Sequence, residues 1–158
     1  MKLARMIPAL AALGLSISLL GACVHVTVRE DMVNEDTPDC DSRAPMTLTG
    51  QIQATPVASH PIADAPGKTL TSVLLTVPPG AKANAHRHAG VVFGYVLEGT
   101  VCSQITGDAG LKPYSAGQSF FEPPGSQHMA FTNPGIMTAK VLVTQIADTG
   151  AQLTVPVQ

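Results

Sequence analysis

From Pro45 onward, short runs of Val, Thr, Ile and Leu recur along the chain, each closed by Gly, Pro, Asn or Asp. They are Met46 to Thr55, Thr69 to Val77, Val91 to Leu97, Thr100 to Thr106, Gln118 to Glu122, Met129 to Thr132, Met137 to Ile146 and Leu153 to Val157. β-Branched residues suit a pleated surface, and runs this short, cut by turn formers, do not sustain a helix. Segments of this kind, with no helix-length stretch between them, predict an all-β chain, an antiparallel sandwich or small barrel. The 14 Gly and 13 Pro supply the turns, and 158 residues suit one domain.

The N-terminal residues read differently. Lys2 and Arg5 precede an apolar run from Met6 to Leu20, the pattern of a secretory signal peptide and too short for a confident membrane span. The run ends in Leu20-Gly21-Ala22-Cys23, which resembles the bacterial lipobox. That resemblance implies cleavage before Cys23 and lipidation of its thiol and amine, so that Cys23 anchors the protein to a membrane. Gly21 and Ala22 also suit an ordinary signal-peptidase site, which would release a secreted protein. Val24 lacks the Asp that often marks inner-membrane retention of such lipoproteins. The expected location is therefore the bacterial cell envelope, facing the periplasm and anchored in the outer membrane, or else the outside of the cell.

Without residues 1–22, which hold Lys2 and Arg5, the formal charge moves from −2 to −4. Glu30, Asp31, Glu35, Asp36, Asp39 and Asp41 crowd a stretch with no periodicity, so residues 23–45 are expected to form an acidic tether. Residues 46–158 are near neutral and form the expected domain. No basic stripe is present, which sets nucleic-acid binding aside. Outside the cytoplasm Cys40 and Cys102 can pair as a disulfide; equally, Cys102 can sit as a small buried apolar residue on a strand.

Five histidines remain to be placed. His25 falls in the tether and His60 in a Pro-flanked loop, both expected at the surface. On a strand, His86 and His88 project from the same face and Arg87 from the other. Pro78-Pro79-Gly80 precedes this pair, and Pro123-Pro124-Gly125 precedes His128, each suited to a type II turn with Gly at positive φ. A neighbouring strand could therefore bring His128 opposite the pair. Three neutral imidazoles suit Fe, Mn, Ni, Cu or Zn and leave coordination positions free.

Gly80, His86-Arg87-His88 and Gly99 are spaced as in the first cupin motif, and Gly117, Pro123-Pro124-Gly125 and His128 as in the second. Tyr95-Val96-Leu97-Glu98-Gly99 closely resembles the usual end of the first motif. The resemblance spans about residues 70 to 147. It implies a double-stranded β-helix, a small jelly-roll barrel with a divalent metal inside, iron first among the candidates, and a possible homodimer. The family pattern places a Glu ligand where this chain has Val92, and the Asn that closes its second motif is displaced by one, to Asn133. Glu98, at the strand-end turn, is expected to be solvated and not a substitute.

Glu122 is the better candidate. Alternation in Phe120-Phe121-Glu122-Pro123 puts Phe120 and Glu122 on one face, and residues before this Pro are usually apolar and inward in the resembling proteins. Three readings stand: Glu122 is a fourth metal ligand, a catalytic acid or base beside a three-histidine metal, or an outward carboxylate. The spacing of the histidines and Glu122 is similar to that of the diketone-cleaving three-histidine cupin dioxygenases. Three neutral ligands leave a divalent metal its full charge, which favours a small anionic chelating substrate such as an enolate, and a dioxygenase is the leading expectation. With Zn the same ligands would support hydrolysis or isomerisation. A barrel that binds or senses metal or a small ligand without turnover is the expectation from the other class. Phe120 is the one aromatic expected near a pocket, Met129 and Met137 are expected to fill gaps, and the loops Gln53 to Pro66 and Gly107 to Lys112 are expected to shape specificity.

Overall fold

The computed structural model describes residues 39–40 and 50–157. Cys23, His25, the leader and most of the tether lie outside the described residues. Among the described residues no helix is long and apolar enough to cross a membrane.

Among the described residues eleven strands follow in order: β1 (Gln53–Pro61), β2 (Lys68–Val77), β3 (Lys82–Ala83), β4 (His86–His88), β5 (Val91–Glu98), β6 (Thr100–Ile105), β7 (Lys112–Ser115), β8 (Ser119–Glu122), β9 (Gln127–Thr132), β10 (Ala139–Asp148) and β11 (Thr154–Pro156). They form two antiparallel sheets, one ordered β1-β2-β10-β5-β8 and the other β11-β4-β9-β6-β7, with β3 also paired to β9. This is the jelly-roll barrel that the motifs imply.

Side-chain alternation fills the barrel. On β10, Ala139, Val141, Val143, Gln145 and Ala147 are buried and alternate with more open positions. Val92 and Val96 of β5 do the same, meeting Val77, Val101, Phe120 and Phe131 in the core. The outward positions Phe93, Tyr95, Phe121 and Ile146 stay exposed.

Three expectations are corrected. Gln53 to Pro61 is not a specificity loop but an edge strand, in which the missing N–H groups of Pro56 and Pro61 and a register shift between Pro56 and Ala58 are tolerated. The first strand among the described residues begins at Gln53, and Met46 to Thr49 of the expected run lie outside them. Met129 and Met137 do not fill gaps: both are exposed, Met129 because it lies on the outward parity of β9 and Met137 because it lies in the turn before β10.

The two Pro-Pro-Gly turns behave as expected, with Gly80 at φ 71° and Gly125 at φ 80°. Glu98 is exposed at the end of β5 and pairs with Lys140 at 3.0 Å. Asn133 is fully buried, and its function is structural. Its Nδ2 donates to the Val77 and Met137 carbonyls, each at 2.8 Å, and its Oδ1 accepts from the Gly135 N–H at 2.9 Å. The side chain thus locks the β9–β10 turn to the end of β2. Asn133→Ala is expected to cost about 2–4 kcal/mol, since it leaves buried carbonyls unpaired; a urea-unfolding midpoint unchanged from wild type would refute that role.

Cys40 and Cys102 are joined in a disulfide. Of the two alternatives for Cys102 the disulfide is the one found, and the bonded residue is also fully buried on β6. Cys40 lies within the stretch expected as a tether, so that end of the stretch is fastened to the barrel wall.

Candidate metal centre

His86 and His88 project from the inner face of β4, and His128 is the Cα partner of His86 on β9. Their imidazole nitrogens converge: one ligand atom from each lies within 4.8 Å of the others, so the three could hold a metal ion. The strand period of two and the β4–β9 pairing are together sufficient for this arrangement.

The hydrogen bonds fix which nitrogens face inward. His86 Nδ1 donates to the Asn84 carbonyl at 2.7 Å, and His88 Nδ1 donates to the Leu153 carbonyl at 2.9 Å. A carbonyl can only accept, so both rings carry their proton on Nδ1 and present the Nε2 lone pair. His128 is held the other way round, with Nε2 2.9 Å from Ser103 Oγ and Nδ1 3.1 Å from Glu122 Oε1. Because a hydroxyl both donates and accepts, Ser103 can satisfy either tautomer of His128. The ring can therefore give its Nδ1 proton to Glu122 or, with the proton on Nε2, offer Nδ1 as a ligand. Burial is the main influence on His86 and holds its pKa below the ordinary imidazole value. The neighbouring His128 and His88 act in the same direction, against the Asn84 bond and Glu122. A lowered value keeps the lone pair free near neutral pH.

Glu122 is 2% exposed, which removes the outward reading. The strand register explains its placement. Val92 of β5, where the family pattern has its Glu, is the Cα partner of Glu122 on β8. Glu122 therefore lies one strand, about 4.8 Å, to the side of that position, and its buried carboxylate points into the barrel. Its Oε2 is 3.8 Å from His88 Nε2 and has no hydrogen-bond partner among the described residues. A buried carboxylate oxygen left unpaired among three imidazoles is costly unless a cation meets it. The three imidazole nitrogens fit a divalent transition metal, and the buried carboxylate beside them adds negative charge where such a cation would sit.

A cavity of ≈ 1000 Å³ opens over these residues, walled by Val73, Leu75, Phe120, Phe131 and Val143. Phe120 faces inward as expected. Three contributors escaped the sequence reading. Ser103 and the Leu153 carbonyl carry no local signal, because they reach His128 and His88 only through strand pairing. Gln145 was visible in principle, as the one long polar side chain on the buried parity of β10.

Residues 73–145 match the family model described as a cupin domain. Among solved structures, an uncharacterised protein with a double-stranded β-helix domain from Klebsiella pneumoniae superposes with a TM-score of 0.53 at 18% identity, covering 73% of this chain and 91% of its own. The Cnp3 cupin domain of Schizosaccharomyces pombe gives 0.52 at 15%, covering 62% of each chain. The DMSP lyase DddQ of Ruegeria pomeroyi gives 0.50 at 21%, covering 55% of this chain and 42% of its own. At these identities the likeness is one of fold. No curated protein matches the chain.

Proposed function

From a chain whose residues 73–145 match the cupin domain and whose barrel gathers three histidines, we propose a metal-dependent dioxygenase acting on a small anionic chelating substrate. His86, His88 and His128 would hold the metal, with Glu122 either as a fourth ligand or as the acid–base group beside it. The observation that carries the reading is the register pair Val92↔Glu122, which brings an unpartnered carboxylate oxygen to the three imidazoles. A divalent metal bound there supplies Lewis acidity and, as iron, access to oxygen chemistry.

The chain's own residues do the rest. Asn84 and Leu153 orient His86 and His88 through their carbonyls, and Ser103 holds His128. As the acid–base group, Glu122 Oε2 would take the acidic proton of a β-dicarbonyl substrate, its O–H bond forming as the C–H bond breaks, and so generate the enolate that a cationic centre favours. The apolar cavity wall would limit the water around that anion. The leader pattern and Cys23 support export and lipid anchoring to the bacterial envelope, and the Cys40–Cys102 bond supports an oxidising compartment.

Elemental analysis of protein purified without chelator or affinity metal tests the proposal, together with Glu122→Gln. About one equivalent of iron, with oxygen uptake on adding β-dicarbonyls that falls at least about 100-fold in Glu122→Gln, is the expected result. One equivalent of zinc would redirect the reading to hydrolysis or isomerisation. No metal after reconstitution would end it in favour of a non-catalytic ligand-binding barrel.

A further inference from the structure

Gln145 occupies a position where strand alternation asks for an apolar residue. It sits between Val143 and Ala147 on the inner face of β10, is 6% exposed, and lines the same cavity as the three histidines. Its Oε1 is buried without a hydrogen-bond partner among the described residues. A carboxamide oxygen in that state destabilises the protein, and valine would fit the barrel better. A retained cost at a cavity wall points to a ligand that removes it.

The sheet register gives the distance to the candidate metal centre. Gln145 pairs with Val92, and Val92 pairs with Glu122, so the three form one row across β10, β5 and β8. Two strand spacings separate the Cα atoms of Gln145 and Glu122 by about 10 Å, with an apolar Val92 between them. The floor of the cavity is therefore polar at both ends and greasy in the middle. Because the unsatisfied atom at the Gln145 end is an acceptor, the group that meets it is a donor. The wall around it, Val73 and Val143 among others, disfavours a charged one.

We propose that Gln145 is a specificity-determining residue that accepts a hydrogen bond from a neutral hydroxyl at the far end of a ligand whose anionic, chelating end faces His86, His88, His128 and Glu122. This rests on the reading of the site as a metal centre. The ligand class is a compact chelating anion with a hydroxyl carried away from the chelate across a short apolar body.

Two hydroxypyranones probe this directly. Kojic acid and allomaltol share one chelating edge and differ only in carrying a hydroxymethyl or a methyl group on the far side of the ring. The whole chain loaded with Zn²⁺ is titrated with each by calorimetry, as wild type and as Gln145→Met. Wild type is expected to prefer kojic acid by about tenfold, the worth of one good hydrogen bond, and the variant to show no preference while binding allomaltol as wild type does. The metal-free variant is also expected to melt higher than wild type, which a merely structural glutamine would not allow. Equal binding of the two probes by wild type, or an undiminished preference in Gln145→Met, overturns the proposal and leaves the metal centre standing. Zinc that binds while neither probe does overturns both the chelating-ligand reading and this proposal. Failure of zinc itself to bind overturns the metal centre on which both rest.

Discussion

His128→Ala is expected to weaken divalent-metal binding by more than 100-fold. The ring supplies one of the three converging imidazoles among the described residues, and it approaches the Glu122 carboxylate to 3.1 Å, closer than the 3.8 Å of His88. Losing a group that merely orients a ligand typically costs about 10–100-fold in affinity, so losing the ligand itself should exceed that range. Ser103→Ala provides the internal comparison. It removes the hydroxyl 2.9 Å from His128 Nε2 and leaves the ring, so a fall of about 10–100-fold is expected. Competitive zinc titration against a chromophoric chelator measures both. The alanine at 128 leaves Ser103 and Glu122 unpaired in the core, so the melting temperature of each metal-free variant must be recorded beside it. A folded His128→Ala protein that binds zinc within tenfold of wild type would remove this ring from the metal centre.

Breaking the Cys40–Cys102 bond is expected to be the largest single loss of stability. The bond closes a loop with a sequence separation of 62 residues. Confining a chain of that length in the unfolded state is worth about 4 kcal/mol on the chain-entropy relation, and for a domain of this size that moves the melting temperature by on the order of 15 °C. Cys40→Ser is the cleaner variant, because Cys102 is fully buried and its replacement would add a packing defect. Thermal unfolding of wild type with and without reductant should reproduce the shift seen in Cys40→Ser. A shift of under about 2 °C in both would mean that this bond contributes almost nothing to the unfolding equilibrium. One practical consequence is that a barrel truncated to begin at residue 46 lacks Cys40 and should melt as low as Cys40→Ser does.

The candidate site shows unequal legibility. Strand period alone placed His86 and His88 on one face, and the repeated Pro-Pro-Gly turn located His128 near them. Local alternation likewise put Phe120 and Glu122 inward, where both are found. The reading of Gln53 to Pro66 as a loop holds from Ile62 to Pro66 and failed from Gln53 to Pro61, because prolines that break a central strand are harmless on an edge, and edge position is a property of the sheet, not of the segment. Met129 and Met137 failed for a similar reason, since an apolar residue in a turn or on an outward face has no local mark of its exposure.

What the sequence by itself determined was the class of fold and the identity of the three imidazoles, because both follow from short-range patterns: alternation within a strand, turn chemistry between strands, and a histidine pair two residues apart. Only the tertiary structure decided that Glu122 lies directly across from Val92. Val92 and Glu122 are 30 residues apart, and nothing in either segment says that they are partners across β5 and β8. The same holds for Ser103 beneath His128, for Gln145 in the row with Val92, and for the disulfide that closes on β6. Each depends on register between strands distant in sequence, and register is set by the sum of packing over the whole sheet, which no local window contains.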